Sequence, residues 1–117
     1  MNSPAATIEA PFLKYTQSPT IVTHTEYLSN NSAVMASYRF ELNDAVTLFV
    51  EVDGVIRSER TDHVAPGGVA RGEVGFRIED THYWDVLGCD LDAYFTVTRG
   101  SNLLDRSEVL RFKILDK

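Results

Sequence analysis

The sequence predicts one all-β domain built as a sandwich of two sheets. Apolar and polar residues alternate through most of its 117 residues, with the two-residue period of strands that bury one face. Turn-forming residues separate these runs about every 8–12 residues, a spacing typical of sandwiches and barrels. We expect seven or eight short antiparallel strands. Their uneven spacing favours a Greek key, and an eight-stranded barrel is the alternative.

The N-terminal part is predicted to hold a short tail and two extended segments. Residues 1–6 are mostly small and are expected to form a flexible tail, with the single domain spanning 7–117. The apolar run 7–13 is interrupted by Pro11, which cannot donate a ladder hydrogen bond and therefore favours an edge strand. Residues 20–28 are rich in threonine and β-branched residues, so we expect them to be extended.

The clearest strand pair lies in the middle of the chain. Residues alternate between apolar and polar over 34–42 and again over 46–52. Asp53-Gly54 separates 46–52 from 55–61, and this dipeptide between extended runs predicts a hairpin, because a type I′ turn needs positive φ at both central residues. The returning strand, 55–61, is mostly polar and is expected near a sheet edge.

The C-terminal half is predicted to end in a strand pair packed on the core. The segment APGG at 65–68 is expected to be a loop and 74–78 a strand. Residues 80–88, DTHYWDVLG, are too few for a full helix, so we interpret them as a corner between the sheets, capped by the first aspartate. The runs 91–97 and 110–114 then alternate on either side of a polar turn, TRGSNLLDR.

Several motifs of this half occur together, and they support a comparison. They are APGG at 65–68, VGFRI at 74–78, YWDVLG at 83–88, FTVTRG at 95–100 and SEVLRFKI at 107–114. In this respect residues 64–114 resemble the immunoglobulin-like β-sandwich repeats of large bacterial surface and adhesin proteins. The resemblance implies an immunoglobulin-like Greek-key fold and a spacer or ligand-presenting role beside similar domains, with no shared active site. Phe95 stands where the family often has tyrosine, so a phenol hydrogen bond at that position is lost.

Charge and cysteine content narrow the possible partners and locations. Eleven basic and seventeen acidic residues give a formal charge of −6, which disfavours nucleic acid and anionic membranes, and no apolar run predicts membrane insertion. The single cysteine, Cys89, excludes an internal disulfide. We expect a cytoplasmic location if the protein stands alone, and a cell-surface or extracellular one if it belongs to a longer exported protein.

No residue pattern indicates an enzyme or a cofactor site. His24, His63 and His82 lie on different predicted elements and lack metal-ligand spacing. No nucleophile elbow, phosphate-binding loop or CxxC motif occurs. We therefore expect no catalytic residues and no cofactor.

Four aspartates are the candidate metal ligands. Carboxylate oxygens suit calcium, which interstrand loops of extracellular sandwiches hold. The spacing does not match a D-x-[DN]-x-[DN]-G loop, and the alternative is that these residues solvate the surface. The four are Asp80, Asp85, Asp90 and Asp92.

Tyr83 and Trp84 are the candidate ligand-binding residues. Two adjacent aromatic rings form a platform for a sugar when both are exposed and coplanar. The alternative, which we favour, is that Trp84 fills the edge of the sandwich near the corner, because large aromatic residues dominate small cores.

The leading hypothesis is a non-enzymatic structural or interaction module, a bacterial immunoglobulin-like domain that binds or presents a protein or glycan partner. Exposed loops or the edge strand 55–61 would supply the contacts, and Arg57, Glu59 and Arg60 would discourage accidental pairing. One alternative is a carbohydrate-binding module. Another is a small acidic inhibitor or immunity-type protein that masks a basic partner.

Overall fold

The computed structural model describes residues 8–117, and the tail expected at 1–6 lies outside this range. Within it, the strands are β1 Phe12–Lys14, β2 Ile21–Val22, β3 Ala33–Ser37, β4 Ala45–Val52, β5 Val55–His63, β6 Glu73–Arg77, β7 Asp90–Arg99, β8 Asn102–Arg106 and β9 Leu110–Ile114. Three short helices are α1 His24–Ser29, α2 Pro66–Arg71 and α3 Asp80–Tyr83. None of these described helices is long and apolar enough to cross a membrane.

The strands form two sheets. The smaller has the order β1-β3-β6, and the larger has the order β2-β9-β7-β4-β5 with β8 also beside β7. One side of β7 pairs with β4, while the other pairs first with β9 and then with β8. Strand pairs are antiparallel except β2 with β9, which run parallel, so the expectation of antiparallel strands is wrong at that edge. The mostly β architecture of two sheets agrees with the predicted sandwich.

The core lies between the sheets and follows the predicted alternation. On the larger sheet, Leu48 of β4 and Phe95 of β7 are opposite each other in register, and both are almost fully buried. On the smaller sheet, Val34 of β3 is opposite Phe76 of β6. These residues belong to one continuous buried cluster, because every second side chain of these strands points inward.

The predicted hairpin between β4 and β5 is confirmed. Asp53 has φ 52° and Gly54 has φ 80°, so both central residues of the turn are in the left-handed region that a type I′ turn requires. The returning strand β5 is the last strand of the larger sheet, at the edge where it was expected.

Replacing Gly54 by alanine is expected to lower the free energy of unfolding by about 1 kcal/mol. A Cβ at this position meets no atom within 4 Å, so the loss arises from the positive φ alone. Urea denaturation followed by circular dichroism measures it. The strain account is contradicted if Gly54→Asn, which tolerates this φ better, costs as much as Gly54→Ala.

Helix α1 corrects the expectation that residues 20–28 are extended. The strand β2 ends at Val22, and a capping box then starts the helix. The Glu26 backbone N–H donates to the Thr23 hydroxyl at 3.1 Å, and the Thr23 N–H donates to the Glu26 carboxylate at 2.9 Å. The T-x-x-E pattern that produces this cap is readable in the sequence.

Helix α2 replaces the loop expected at APGG. Pro66 occupies the first turn, where its missing N–H costs nothing, and Gly72 ends the helix with a left-handed φ of 68°. Proline at the start and glycine at the end are the usual signals of a short helix.

Two strand boundaries also differ from expectation. β3 ends at Ser37 rather than residue 42, because the chain turns directly after Tyr38, where the Phe40 N–H donates to the Tyr38 carbonyl at 2.9 Å. The segment expected as a polar turn, 98–106, contains β8, and the turn itself is only Gly100-Ser101. This additional strand brings the number from the expected seven or eight to nine within the described residues.

Candidate functional site

The corner between β6 and β7 contains the two aromatic candidates, and it separates them. Tyr83 is the last residue of α3 and is 1% exposed, whereas Trp84 is 70% exposed. The two rings therefore do not form a platform together. Glu79, not Asp80 as expected, holds the N-cap position of α3, and it makes no side-chain cap.

Tyr83 is a core residue with an unpartnered hydroxyl. Its ring belongs to the buried cluster, and its oxygen has no hydrogen-bond partner. Burial raises the pKa of Tyr83, while the charge of nearby Arg60 lowers it. The Arg60 guanidinium donates to the Arg77 carbonyl at 2.6 Å instead. The phenol is thus protonated near neutral pH and serves packing.

Trp84 projects from the surface, so the interpretation that it fills the sandwich edge is wrong. The next residue, Asp85, forms an ion pair with Arg57 of β5. This contact brings the corner against the start of β5, where Val55 is 60% exposed and Ile56 is 48% exposed. We call Val55, Ile56 and Trp84 the corner patch.

The strand β5 extends from this patch along the edge of the larger sheet. It has nine residues, nearly all exposed, and within the described chain it pairs only with β4. The register shifts between Val50 and Glu51, so Arg57 has no opposite residue. We call the unpaired side of β5 the open edge. Its N–H and C=O groups are the kind that another strand can pair with.

The three charged residues that were expected to discourage pairing along β5 differ in their contacts. Arg57 is neutralised by Asp85, and Arg60 reaches toward the smaller sheet, where its guanidinium carbon lies 5.7 Å from the centre of the Phe76 ring. Glu59 forms no ion pair with any of the described residues. Of these three residues, only Arg57 has an ion-pair partner among the described residues; Arg60 directs its charge toward the smaller sheet, and Glu59 leaves its charge at the open edge.

The four candidate calcium ligands are not brought together. Asp85 pairs with Arg57, and Asp90 lies 3.6 Å from the Lys113 ammonium. Asp92 accepts two hydrogen bonds from one guanidinium, that of Arg111, at 2.9 and 3.1 Å, and these bonds hold its pKa below the usual value. The backbone carbonyl of Asp80 accepts a hydrogen bond from the Tyr27 hydroxyl. Within residues 8–117, no three His, Cys, Asp or Glu side chains converge as a metal site.

The histidines and the cysteine are also dispersed. The His24 ring lies 3.3 Å from the Leu115 carbonyl, and His82 lies 3.7 Å from the Glu79 carboxylate. His63 is exposed at the end of β5, and Cys89 is half-buried. These side chains lie in separate places and build no common reactive group.

An open cleft of about 530 Å³ lies near Ile8 and Tyr38 and is lined by no residue of β5. Its charged residues are two arginines and two acidic residues, so their charges favour neither anions nor cations. The four are Arg39, Arg71, Glu9 and Asp105. The open edge and the corner patch remain the more specific candidate.

No protein-family model, curated protein or solved structure matches the chain. The open edge of β5 and the corner patch are therefore the basis of the functional proposal.

Proposed function

We propose that this domain is a non-enzymatic interaction module that takes up an extended segment of a protein partner along β5. The partner strand pairs with the open edge, and one of its apolar side chains packs on the corner patch. In a bacterial surface protein, such a domain would present this edge to a partner or to a neighbouring domain.

The observation that carries the proposal is an exposed tryptophan in the corner that is tied to one end of a nine-residue strand whose outer edge is open. Backbone pairing supplies affinity in strand addition, and side-chain pockets supply specificity. Val55 and Ile56 expose apolar side chains on opposite faces of the sheet at this end of β5, and the Asp85–Arg57 ion pair links Trp84 to the same end, where a paired segment would start. Tryptophan is enriched among the residues that dominate binding energy at interfaces.

We further propose an immunoglobulin-like Greek-key topology for the sandwich. The strand order supports this assignment. The order β1-β3-β6 corresponds to strands A, B and E of such domains, and the order β9-β7-β4-β5 corresponds to G, F, C and C′. In this correspondence, β5 is the C′ strand, and α3 lies in the connection between E and F.

The test is a peptide-display selection on the folded domain, followed by binding to a Trp84→Ala variant. We expect the selected peptides to bind Trp84→Ala at least about tenfold more weakly, because the anchor for their apolar residue is lost. Proline scanning of each peptide is expected to abolish binding at every second position, where the backbone N–H pairs with β5.

Leu42→Ala is the matched control for this selection. Leu42 is 56% exposed and precedes β4, whereas the corner patch adjoins the opposite end of that strand. Peptides that bind wild type, Leu42→Ala and Trp84→Ala equally would place the interaction elsewhere and overturn the proposal.

A carbohydrate-binding role has support from Trp84 alone. Its exposed ring is able to stack on a sugar, but the burial of Tyr83 removes the second ring of the expected platform. A glycan array separates the two roles, because binding to glycans that is lost in Trp84→Ala favours this second candidate.

A further inference from the structure

We infer that the open edge of β5 selects a basic extended segment and disfavours pairing with a second copy of this chain. This inference rests on the proposed function, since it specifies the chemistry of the segment that β5 takes up.

The first step concerns which charges a pairing strand would meet. Arg57 is held by Asp85, and Arg60 is turned toward the carbonyl of Arg77. The exposed carboxylates of Glu59 and Asp62 form no ion pair within the described residues. Arg60 keeps its positive charge but directs it toward the smaller sheet, so the unpaired charges that remain beside the open edge are the two carboxylates.

The second step concerns the faces of the sheet. Glu59 is opposite the half-buried Phe49, and Asp62 is opposite the fully buried Val46. Because neighbouring side chains of β4 alternate between faces, Glu59 points to the outer face and Asp62 to the inner side. A paired segment meets one carboxylate on each face, and its facing residues are three positions apart.

The third step combines these positions with the corner patch. In an antiparallel segment, the residue facing Glu59 follows the residue facing Asp62 by three positions. The residues facing Ile56 and Val55 follow three and four positions later. The geometry thus favours a segment with two basic residues three apart and an apolar pair about three residues beyond them. This last spacing is one residue shorter if the segment, like β4, leaves Arg57 without an opposite residue.

The same charges oppose self-pairing. Each chain carries a formal charge of −6, so two copies repel one another. A two-fold antiparallel pair centred on Glu59 would place two like carboxylates directly opposite, an arrangement that destabilises cross-strand pairs. The net charge of the chain, and the two carboxylates in this register, therefore oppose self-pairing, whereas the same carboxylates attract a basic strand.

The test measures the fluorescence of Trp84, because it is the only tryptophan in the chain. Three synthetic peptides share the apolar pair and a β-forming sequence, and carry lysine, glutamine or glutamate at the two spaced positions. We expect the lysine peptide to shift Trp84 emission to shorter wavelength, to protect it from acrylamide quenching, and to bind most tightly. Its affinity is expected to fall as salt is raised.

Charge-only variants of β5 complete the experiment. Glu59→Gln with Asp62→Asn is expected to weaken the lysine peptide by about threefold for each carboxylate removed, the size of an exposed ion pair. The matched control is Glu9→Gln with Glu108→Gln, which removes two exposed carboxylates away from β5 and is expected to change affinity little.

The outcomes separate the inference from the proposed function. If all three peptides shift Trp84 emission with equal affinity, strand addition stands and basic selectivity is overturned. If no peptide changes the emission, both are overturned. Sedimentation tests the self-pairing alternative. If the wild-type domain forms dimers and the Ile56→Pro variant does not, β5 pairs with a second copy of the chain, and the inference of a basic segment is overturned.

Discussion

Replacing Asp44 by alanine is expected to lower the free energy of unfolding by about 3 kcal/mol. Asp44 is 1% exposed, and its carboxylate accepts hydrogen bonds from Arg99 Nε and Nη2, both at 2.9 Å. The Glu41 N–H adds a third bond at 2.8 Å. Alanine removes all three acceptor contacts and leaves the backbone donor of Glu41 without its partner.

The loss of stability also affects the segment around Asp44, because backbone hydrogen bonds of this residue connect neighbouring elements. The Asp44 N–H donates to the Glu41 carbonyl, and the Val64 N–H donates to the Asp44 carbonyl. The carboxylate therefore joins the start of β4 to the end of β7, and the backbone carbonyl of Asp44 adds a contact with Val64, directly after β5. Urea denaturation followed by circular dichroism measures the change. Glu108→Ala, at an exposed carboxylate, is the control and is expected to shift stability by less than about 0.5 kcal/mol.

The pH dependence gives an independent check on this ion pair. The hydrogen bonds from Arg99 hold the pKa of Asp44 below its ordinary value, although burial opposes them. Because the unfolded chain takes up the proton first, with a pKa of about 3.9, the stabilisation is complete above that pH and is lost as pH falls through the lower folded pKa. The difference in stability between wild type and Asp44→Asn is expected to shrink below about pH 4. A difference independent of pH would contradict this role of the ion pair.

The strands that were predictable are those whose pattern is local. β4 is specified by its alternation, and β5 by its place after the Asp53-Gly54 dipeptide, which needs positive φ. α1 and α2 have only six residues each, so their apolar period is too short to recognise, and only their end signals reveal them. The sequence of β8 does not alternate between apolar and polar residues. Its strand conformation depends on pairing with the second half of β7, which the local sequence does not indicate.

The candidate site was predictable only in part, because it depends on one contact between distant segments. The polar character of 55–61 indicated an edge strand, and β5 lies at that edge. The ion pair between Arg57 and Asp85 joins residues 28 positions apart, and no sequence period indicates it. Without that contact, the connection between the corner and the start of β5 is not apparent. Hydrophobicity alone likewise does not decide which of two adjacent aromatic residues faces inward.

Replacing Tyr83 by alanine is expected to lower the free energy of unfolding by about 4 kcal/mol, while Trp84→Ala is expected to change it by less than about 0.5 kcal/mol. The contrast follows from burial, since Tyr83 is 1% exposed and Trp84 is 70% exposed. Thermal and urea unfolding by far-ultraviolet circular dichroism compares both variants, because fluorescence is lost with Trp84.

Tyr83→Phe separates the two parts of the Tyr83 side chain. The ring fills the core, but the hydroxyl is buried without a hydrogen-bond partner, so its removal relieves a desolvation cost. We expect Tyr83→Phe to be as stable as wild type or more stable by about 1 kcal/mol. A loss comparable to that of Tyr83→Ala would show that the hydroxyl is bonded in solution. If Trp84→Ala proved the more destabilising variant, Trp84 would belong to the core, and the corner patch would lose the residue on which partner binding depends.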